Sequence, residues 1–359
     1  MPERSRVLFI TRKWPPAMGG METYSKSLSE ALGKHLGIET LVLPGHKDGS
    51  VPSAGELLGF GLRAALWFLL MRKRPAVTHV ADMASWPLAL AARLRCLGGR
   101  QVLSAHGTDV SYPLRGGLKG RLYGAYLCIG ARLLGPVTVL ANSSATAEAV
   151  RRYGYRDTEV IPLAAEISPI NDAKPGQAML FCGRLIPLKG CAWFVREVLP
   201  LLPETVTLDI AGTIWDEAEA SVLDHPRVRF LGRLEQEDLW RACAGALCVV
   251  APNIDVSSGA FEGFGLVALE AAAAGGVTLA SRQGGLEDAV IDGETGFLLP
   301  PQSAQDWADK ILEILEWSDE ARAGFVARAT EVCAERFSWD RVARDTLWAY
   351  RIPSQGEEL

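Results

Sequence analysis

Six short apolar runs alternate with stretches of helical spacing over the first half of the chain: Val7 to Thr11, Thr40 to Leu43, Val77 to Val80, Gln101 to Ser104, Val137 to Ala141 and Glu159 to Ile161. Runs this short, bounded by turn residues and separated by helices such as Thr23 to Leu36 and Ser144 to Tyr153, imply a parallel sheet covered on both faces. Ser143 or Ser144 supplies the cap of the second of these helices. After a polar connector, Ser168 to Gly176, the alternation restarts with Ala178 to Cys182, Thr207 to Ala211, Val228 to Leu231, Leu247 to Ala251, Gly276 to Ala280 and Gly296 to Leu299. A chain of 359 residues is too long for one compact core. The pattern predicts an α/β protein of two doubly wound domains with a cleft between them, because ligands of such sheets bind beyond the carboxyl ends of the strands. The last helix, about Trp339 to Arg351, carries Trp339, Trp348 and Tyr350 and is expected to pack on another element.

Composition narrows the function classes. Hydrophobic residues at 48% and charged residues at 22% are globular values. No run of about 20 uncharged apolar residues predicts a spanning helix. Met1 to Arg12 is too charged for a secretory leader, so the cytosol is the expected compartment. The seven cysteines are scattered without a Cys-x-x-Cys pair and read as reduced core residues, with no zinc site. The net charge of −5 divides unevenly: residues 1–165 hold 21 Lys and Arg against 11 Asp and Glu, and the remainder holds 16 against 31. A basic half joined to an acidic one predicts that the first meets an anionic surface, either lipid headgroups or a phosphate-bearing acceptor. Nucleic acid fits poorly, since no basic tail or aromatic stacking series accompanies the charge. Leu57 to Met71, with Trp67, Phe68 and the trailing Arg72-Lys73-Arg74, suits a helix lying in a membrane interface and equally a covering helix buried on the sheet.

The chemistry-bearing residues cluster at predicted strand ends. Phe261-Glu262-Gly263-Phe264-Gly265 precedes a helix opening near Leu266 and containing Glu270. Gly263 and Gly265 let the backbone turn sharply beside a ligand, and the helix amides suit a phosphate. Carboxylates accept hydrogen bonds in pairs, so Glu262 suits sugar hydroxyls and Glu270 the two hydroxyls of a ribose. Arg184 and Lys189 follow the run Ala178 to Cys182, where two cations can neutralise a departing diphosphate. Gly19-Gly20 lies between the first strand and a helix starting near Glu22, and can offer amides to a phosphate or leave room for a sugar. It lacks the third glycine of a dinucleotide fingerprint. His106-Gly107-Thr108-Asp109 follows Gln101 to Ser104, where His106 can bond a transferred sugar or its acceptor and Asp109 can orient the imidazole or hold the acceptor.

This constellation resembles the retaining glycosyltransferases of family four, which have the GT-B fold of two Rossmann-like domains. The matching pieces are Gly19-Gly20 with Glu22, His106 to Asp109, Ala141-Asn142-Ser143, Gly183-Arg184 to Lys189-Gly190, Glu262 to Gly265 with Glu270, Ala274-Gly275, Gly284-Gly285 with Glu287, and Asp292-Gly293 to Phe297. The resemblance implies an acceptor domain over 1–165, a nucleotide-sugar domain over 166–336 and a helical segment, 337–359, that returns to the first domain. It places the donor diphosphate on Gly19, Gly20, Gly183, Arg184 and Lys189, the sugar on Glu262 with the backbone of Gly263, Phe264 and Gly265, the ribose on Glu270, and the base near Arg233 and Leu234. His106 would lie beside the transferred sugar, with His106 and Asp109 toward the acceptor. It further implies retention of anomeric configuration, no enzymic nucleophile, no cofactor and no metal. The expected partners are a nucleoside-diphosphate sugar, an unknown hydroxyl acceptor of lipid-linked type and an anionic membrane surface on its cytoplasmic side, in bacterial-type glycolipid, lipopolysaccharide or exopolysaccharide synthesis. A nucleotide-sugar epimerase on the same fold and a sugar-nucleotide-binding subunit without catalysis are the competing readings. Two details depart from the family pattern: Pro162 to Glu166 lacks the usual glycine before the linker, and Ile254 to Ala260 is a long lead into the glutamate loop.

Overall fold

A computed structural model of the chain describes residues 6–17, 19–47, 50–71, 74–96, 99–170 and 173–351. Arg72 and Lys73 of the basic run, part of the polar connector and the segment after 351 lie outside the described residues. The chain forms two units, one of Met1–Leu163 with Trp339–Leu359 and one of Ala164–Ser338.

Each unit is built on a six-stranded parallel sheet. In the first the order is β2-β1-β3-β4-β5-β6, with β1 Arg6–Trp14, β2 Gly37–Pro44, β3 Val77–Val80, β4 Arg100–Ala105, β5 Thr138–Ala141 and β6 Asp157–Val160. In the second it is β12-β11-β10-β7-β8-β9, with β7 Ala178–Leu185, β8 Thr207–Ile214, β9 Val228–Gly232, β10 Val249–Ala251, β11 Thr278–Ser281 and β12 Phe297–Leu299. Both orders reverse direction after the first strand of the unit, β1 or β7, the kind of switch point at which such sheets bind ligands at their carboxyl edge. The central strands read as continuous apolar runs because both faces are covered: Val7, Leu8, Phe9 and Ile10 are all buried, as are Met179, Leu180 and Phe181. In the second unit Phe194 packs edge-on against Trp307, at 5.8 Å between ring centroids, in the core under β7 and β8.

Helix boundaries follow local chemistry. The first helix runs Gly20–Gly33, three residues earlier at each end than its apolar spacing predicts, so Gly20 stands in its first turn. Ser143, not Ser144, caps the helix Ser144–Arg152, accepting from the Thr146 amide at 3.0 Å. The helix Ala54–Leu70 opens with a capping box between Ser53 and Glu56. It buries Phe60, Ala64 and Phe68 at intervals of four and turns Leu58, Leu62, Leu66, Leu69 and Leu70 to solvent. The segment therefore packs against the helix Trp86–Arg95, is tied to the edge strand β2 by Arg63 and Trp67, and presents a leucine stripe on its other face.

The last helix, Trp339–Ala349, belongs to the first unit. Trp339 sits 6.3 Å from the Tyr24 ring, the Arg341 guanidinium donates to the carbonyl of Pro162 at 2.7 Å, and the Tyr350 hydroxyl meets His79 Nδ1 at 2.6 Å. The expectation that Trp348 also packs is corrected. Its side chain is 73% exposed, because it falls on the opposite face of the helix from Trp339, Val342, Thr346 and Leu347.

Candidate active site

In the second unit, the predicted residues gather at the carboxyl edge of the sheet. Arg184 is the penultimate residue of β7 rather than a loop residue, and its guanidinium stacks 5.0 Å over the ring of Trp215. Lys189 closes a short 3-10 turn, Pro187–Lys189, and the next residue, Gly190, has φ of +66°. A Cβ at Gly190 would lie 2.0 Å from the carbonyl oxygen of Pro252, so glycine is what lets the β7 and β10 loops touch. That contact brings Lys189 to Glu262: Nζ and Oε2 are 2.5 Å apart, with both side chains 18% exposed.

Glu262 Oε2 also accepts from Asn253 Nδ2 at 3.2 Å, and Asn253 is anchored through its carbonyl by the Ser281 hydroxyl at 2.7 Å. Burial pushes the Glu262 carboxyl up, but Lys189, Asn253 and Arg184 outweigh it and leave it below the ordinary value. The site therefore holds a carboxylate whose Oε2 is committed and whose Oε1 remains to accept from a ligand. Behind the loop, the Gly285 amide donates to the carbonyl of Glu262 at 2.9 Å, and a Cβ on Gly285 would lie 2.4 Å from Phe264 Cα. Gly284-Gly285 is thus the support on which the glutamate loop rests.

Gly265, at φ of +95°, precedes the helix Leu266–Ala273. The first helical turn leaves the amides of Leu266 and Val267 without acceptors of their own, a ready seat for an anion. Glu270 lies in the same helix, and its carboxyl has no hydrogen-bond or ion-pair partner among the described residues. Burial alone raises its carboxyl to about 7. Its charge is felt by the Cys182 thiol, whose pKa is raised chiefly by its hydrogen bond with Cys243, then by burial, with smaller contributions from Cys243 and Glu270. Leu234 packs on the same cluster as Cys182 and Cys243, whereas Arg233 is exposed at the end of β9.

In the first unit, Gly19 and Gly20 are exposed at the start of the first helix. A Cβ on Gly19 would meet Glu22 Oε2 at 2.6 Å, and Glu22 pairs with Lys13 at 3.4 Å. His106 follows β4 directly. Its Nε2 hydrogen-bonds the carbonyl of Ala81 at 3.0 Å, and the ring of Tyr24 meets it edge-on at 4.5 Å between centroids. Tyr24 is held in turn by a buried chain: its hydroxyl meets Ser104 Oγ at 2.8 Å, Ser104 meets His79 Nε2 at 2.6 Å, and His79 meets Tyr350. Burial, then the neighbouring His106, lowers His79 to about 3, so it stays neutral and serves as a fixed link.

The idea that Asp109 orients the imidazole is corrected. Its Oδ1 accepts from the backbone N–H of His106 at 2.9 Å and its Oδ2 from the Met83 amide at 3.2 Å, so it pins two loops rather than the ring. Asn253, Ser281, Trp215, Tyr24 and His79 are the neighbours that sequence reasoning missed. Asn253 alone had a local signal, a polar residue just past a strand's carboxyl end.

Two family models match the chain: one described as Glycosyltransferase Family 4 over residues 18–168, and one described as Glycosyl transferases group 1 over 176–317. The chain belongs to glycosyltransferase family 4. Among curated relatives, a D-inositol 3-phosphate glycosyltransferase of a Nocardioides species is 35% identical over 195 residues, covering 48% of this chain and 41% of that protein. A phosphatidyl-myo-inositol mannosyltransferase of Mycolicibacterium smegmatis is 30% identical over 210 residues, covering 55% and 53%. The chain thus spans about half the length, or less, of these relatives. Among solved structures, sucrose-phosphate synthase from Thermosynechococcus elongatus superposes with a TM-score of 0.72 at 22% identity, covering 97% of this chain and 98% of that one. HepE of Anabaena, in complex with UDP and glucose, gives 0.68 at 19% identity, covering 97% and 99%. The family 4 chain has the GT-B fold of these neighbours.

Proposed function

We propose that this family 4 chain is a glycosyltransferase that moves a sugar from a nucleoside-diphosphate sugar to an acceptor hydroxyl, with retention of configuration and without a metal. The observation that carries the reading is the pairing of a pre-ionised Glu262, braced by Lys189 and Asn253, with the half-buried Glu270 eight residues later, whose carboxyl has no partner among the described residues. A charged acceptor oxygen at one and a desolvated carboxyl at the other suit two hydroxyl-bearing groups of one ligand. Arg184, Lys189 and the amides of Leu266 and Val267 provide the positive potential that stabilises a departing diphosphate, the role a metal would otherwise fill. Glu262 already spends its charge on Lys189, so it is assigned to positioning the sugar. A front-face displacement, in which the leaving phosphate takes the acceptor proton, requires no enzymic nucleophile. His106, its ring fixed by Ala81 and Tyr24, is assigned to the acceptor or the transferred sugar. A UDP-glucose donor is consistent with the ligands of the HepE complex.

The names of the relatives point to acceptors that carry inositol and phosphate. The basic balance of residues 1–165 fits such an anionic acceptor, free or lipid-linked. The leucine stripe of the helix Ala54–Leu70 adds a surface for lipid. Leu58, Leu62, Leu66 and Leu69 are each more than half exposed, and no helix among the described residues is long and apolar enough to cross a membrane. This combination describes a protein that lies on the cytoplasmic surface of an anionic bilayer rather than spanning it.

A thermal-shift screen against nucleoside diphosphates and their sugars tests the donor reading. One nucleotide series is expected to raise the midpoint by several degrees, as binding at about 100 times Kd adds roughly 2.7 kcal/mol. No shift with any member would overturn it. Vesicle sedimentation tests the second part. Binding to vesicles containing phosphatidylglycerol is expected at low salt and is expected to weaken as ionic strength rises. Equal binding to purely zwitterionic vesicles would remove the electrostatic component.

A further inference from the structure

The amino edge of the first unit's sheet carries a second cationic site, at the opposite ends of the strands from His106. A depression of about 960 Å³, counting its open mouth, is lined by Arg93, Arg100, Gln101, Thr138, Asp157 and Arg351. Arg100, Thr138 and Asp157 are the opening residues of β4, β5 and β6, so three adjacent strands deliver their first side chains to one place. Arg93 comes from the last turn of the helix Trp86–Arg95, and Arg351 follows the last helix of the chain.

The charges there are not balanced. Asp157 Oδ2 accepts from the Thr138 hydroxyl at 2.7 Å, while Arg100 Nη2 donates to Thr138 at 3.0 Å and stands 3.9 Å from that carboxylate. Arg100 Nε is buried and has no hydrogen-bond partner. Arg93 makes only a long contact, 3.4 Å, with the carbonyl of Pro136, and neither Arg93 nor Arg351 has an ion pair among the described residues. Glu159 is the other nearby acid. Its carboxyl is raised by burial and by Asp157, against the pull of Arg100 and Arg351.

We propose that this depression binds a phosphate group, taken by Arg93 and Arg351 beside the guanidinium of Arg100. Guanidinium groups present planar pairs of donors that match phosphate oxygens, and Arg93 and Arg351 have no ion pair of their own among the described residues. Thr138, itself bonded to Asp157, holds Arg100 in place. The phosphate belongs either to a soluble phosphate ester or to a lipid headgroup. Exposed Leu94 and Leu133, next to Arg93 and near Pro136 in the chain, give the second source an apolar border. This site is independent of the sugar-transfer reading, because it uses none of the residues assigned to the donor.

The test is calorimetric titration of the full chain with inorganic phosphate and with glycerol 3-phosphate. The comparison is between an R93Q/R351Q double variant and an R184Q/K189Q double variant, each checked for a single cooperative melting transition above the titration temperature. Saturable binding that falls roughly tenfold or more in R93Q/R351Q and is kept in R184Q/K189Q is the expected result. Binding lost only in R184Q/K189Q, or no saturable binding in the parent chain, would overturn the site while leaving the donor reading intact. Sedimentation with phosphatidylcholine vesicles, with and without phosphatidic acid, separates the sources. A parallel loss of vesicle binding in R93Q/R351Q assigns a lipid headgroup. Loss of free-phosphate binding alone assigns a soluble ester.

Discussion

Glu262→Gln is expected to reduce sugar transfer by about a hundredfold or more while leaving nucleoside diphosphate binding intact or tighter. The first half of that expectation follows from what Oε1 does. A charged acceptor placed on donor hydroxyls positions the reacting carbon, and losing one such preorganised contact commonly costs two to three orders of magnitude in turnover. The second half follows from Lys189. In the parent protein its ammonium is held at 2.5 Å by Glu262, and a diphosphate must compete for it. With glutamine at 262 that competitor is gone, and the ammonium is available to phosphate. The same change leaves a largely buried cation without its partner, so the ligand-free variant is expected to lose stability by about 3 kcal/mol. Added nucleoside diphosphate is expected to recover much of that loss. Initial rates and calorimetry on one preparation check all of this, and a variant with parental turnover would remove Glu262 from the site.

The second large effect is the pH response of Glu270. Its carboxyl ionises near 7 in the folded chain and near 4.5 in a model peptide, so the folded state binds the extra proton between those values. Stability is therefore greatest, on account of this group, below about pH 4.5, and is lost as pH rises through 7. Glu270→Gln keeps the shape and removes the charge. The variant is expected to be more stable than the parent at pH 8 by up to about 3 kcal/mol, with the difference vanishing near pH 4.5. Donor affinity is expected to move the other way. A hydrogen bond to a charged carboxylate is worth about 1.5 to 3 kcal/mol and glutamine keeps one acceptor oxygen, so the variant, short of about one such bond, binds tens to hundreds of times more weakly at pH 8. Parental affinity should rise with pH through 7 and the variant's should not. Identical affinity and pH profiles for the two proteins would dismiss Glu270 as a ribose ligand.

The alternation of apolar runs and helices carried the architecture, since each predicted run overlaps an observed strand and both sheets are parallel. Strand ends were less legible. Arg184 falls within β7 because Gly183 and Gly212 let the β7 and β8 backbones run on side by side, a close approach that a Cβ at Gly212 would prevent at 1.7 Å from the Gly183 carbonyl. The glutamates and cations of the second unit were readable because short-range glycine chemistry marks them. The seat of His106 was not. Tyr24, Ser104, His79 and Tyr350 are 80, 25 and 271 residues apart along the links of their chain, and nothing local in any of them announces the others.

That same chain of contacts has a consequence for the order in which the protein is made. The second unit is one uninterrupted stretch, Ala164–Ser338, set inside the first, whose final helix is delivered only after it. During synthesis the second sheet has all of its strands while the first still lacks Trp339 against Tyr24 and Tyr350 against His79. The first body, whose six strands all precede the second, therefore cannot be completed until the second has been made. A nascent chain halted before residue 339 would carry a finished second body and an unclosed first one, with the bonds from Arg341 to Pro162 and Leu163 still unmade at the junction.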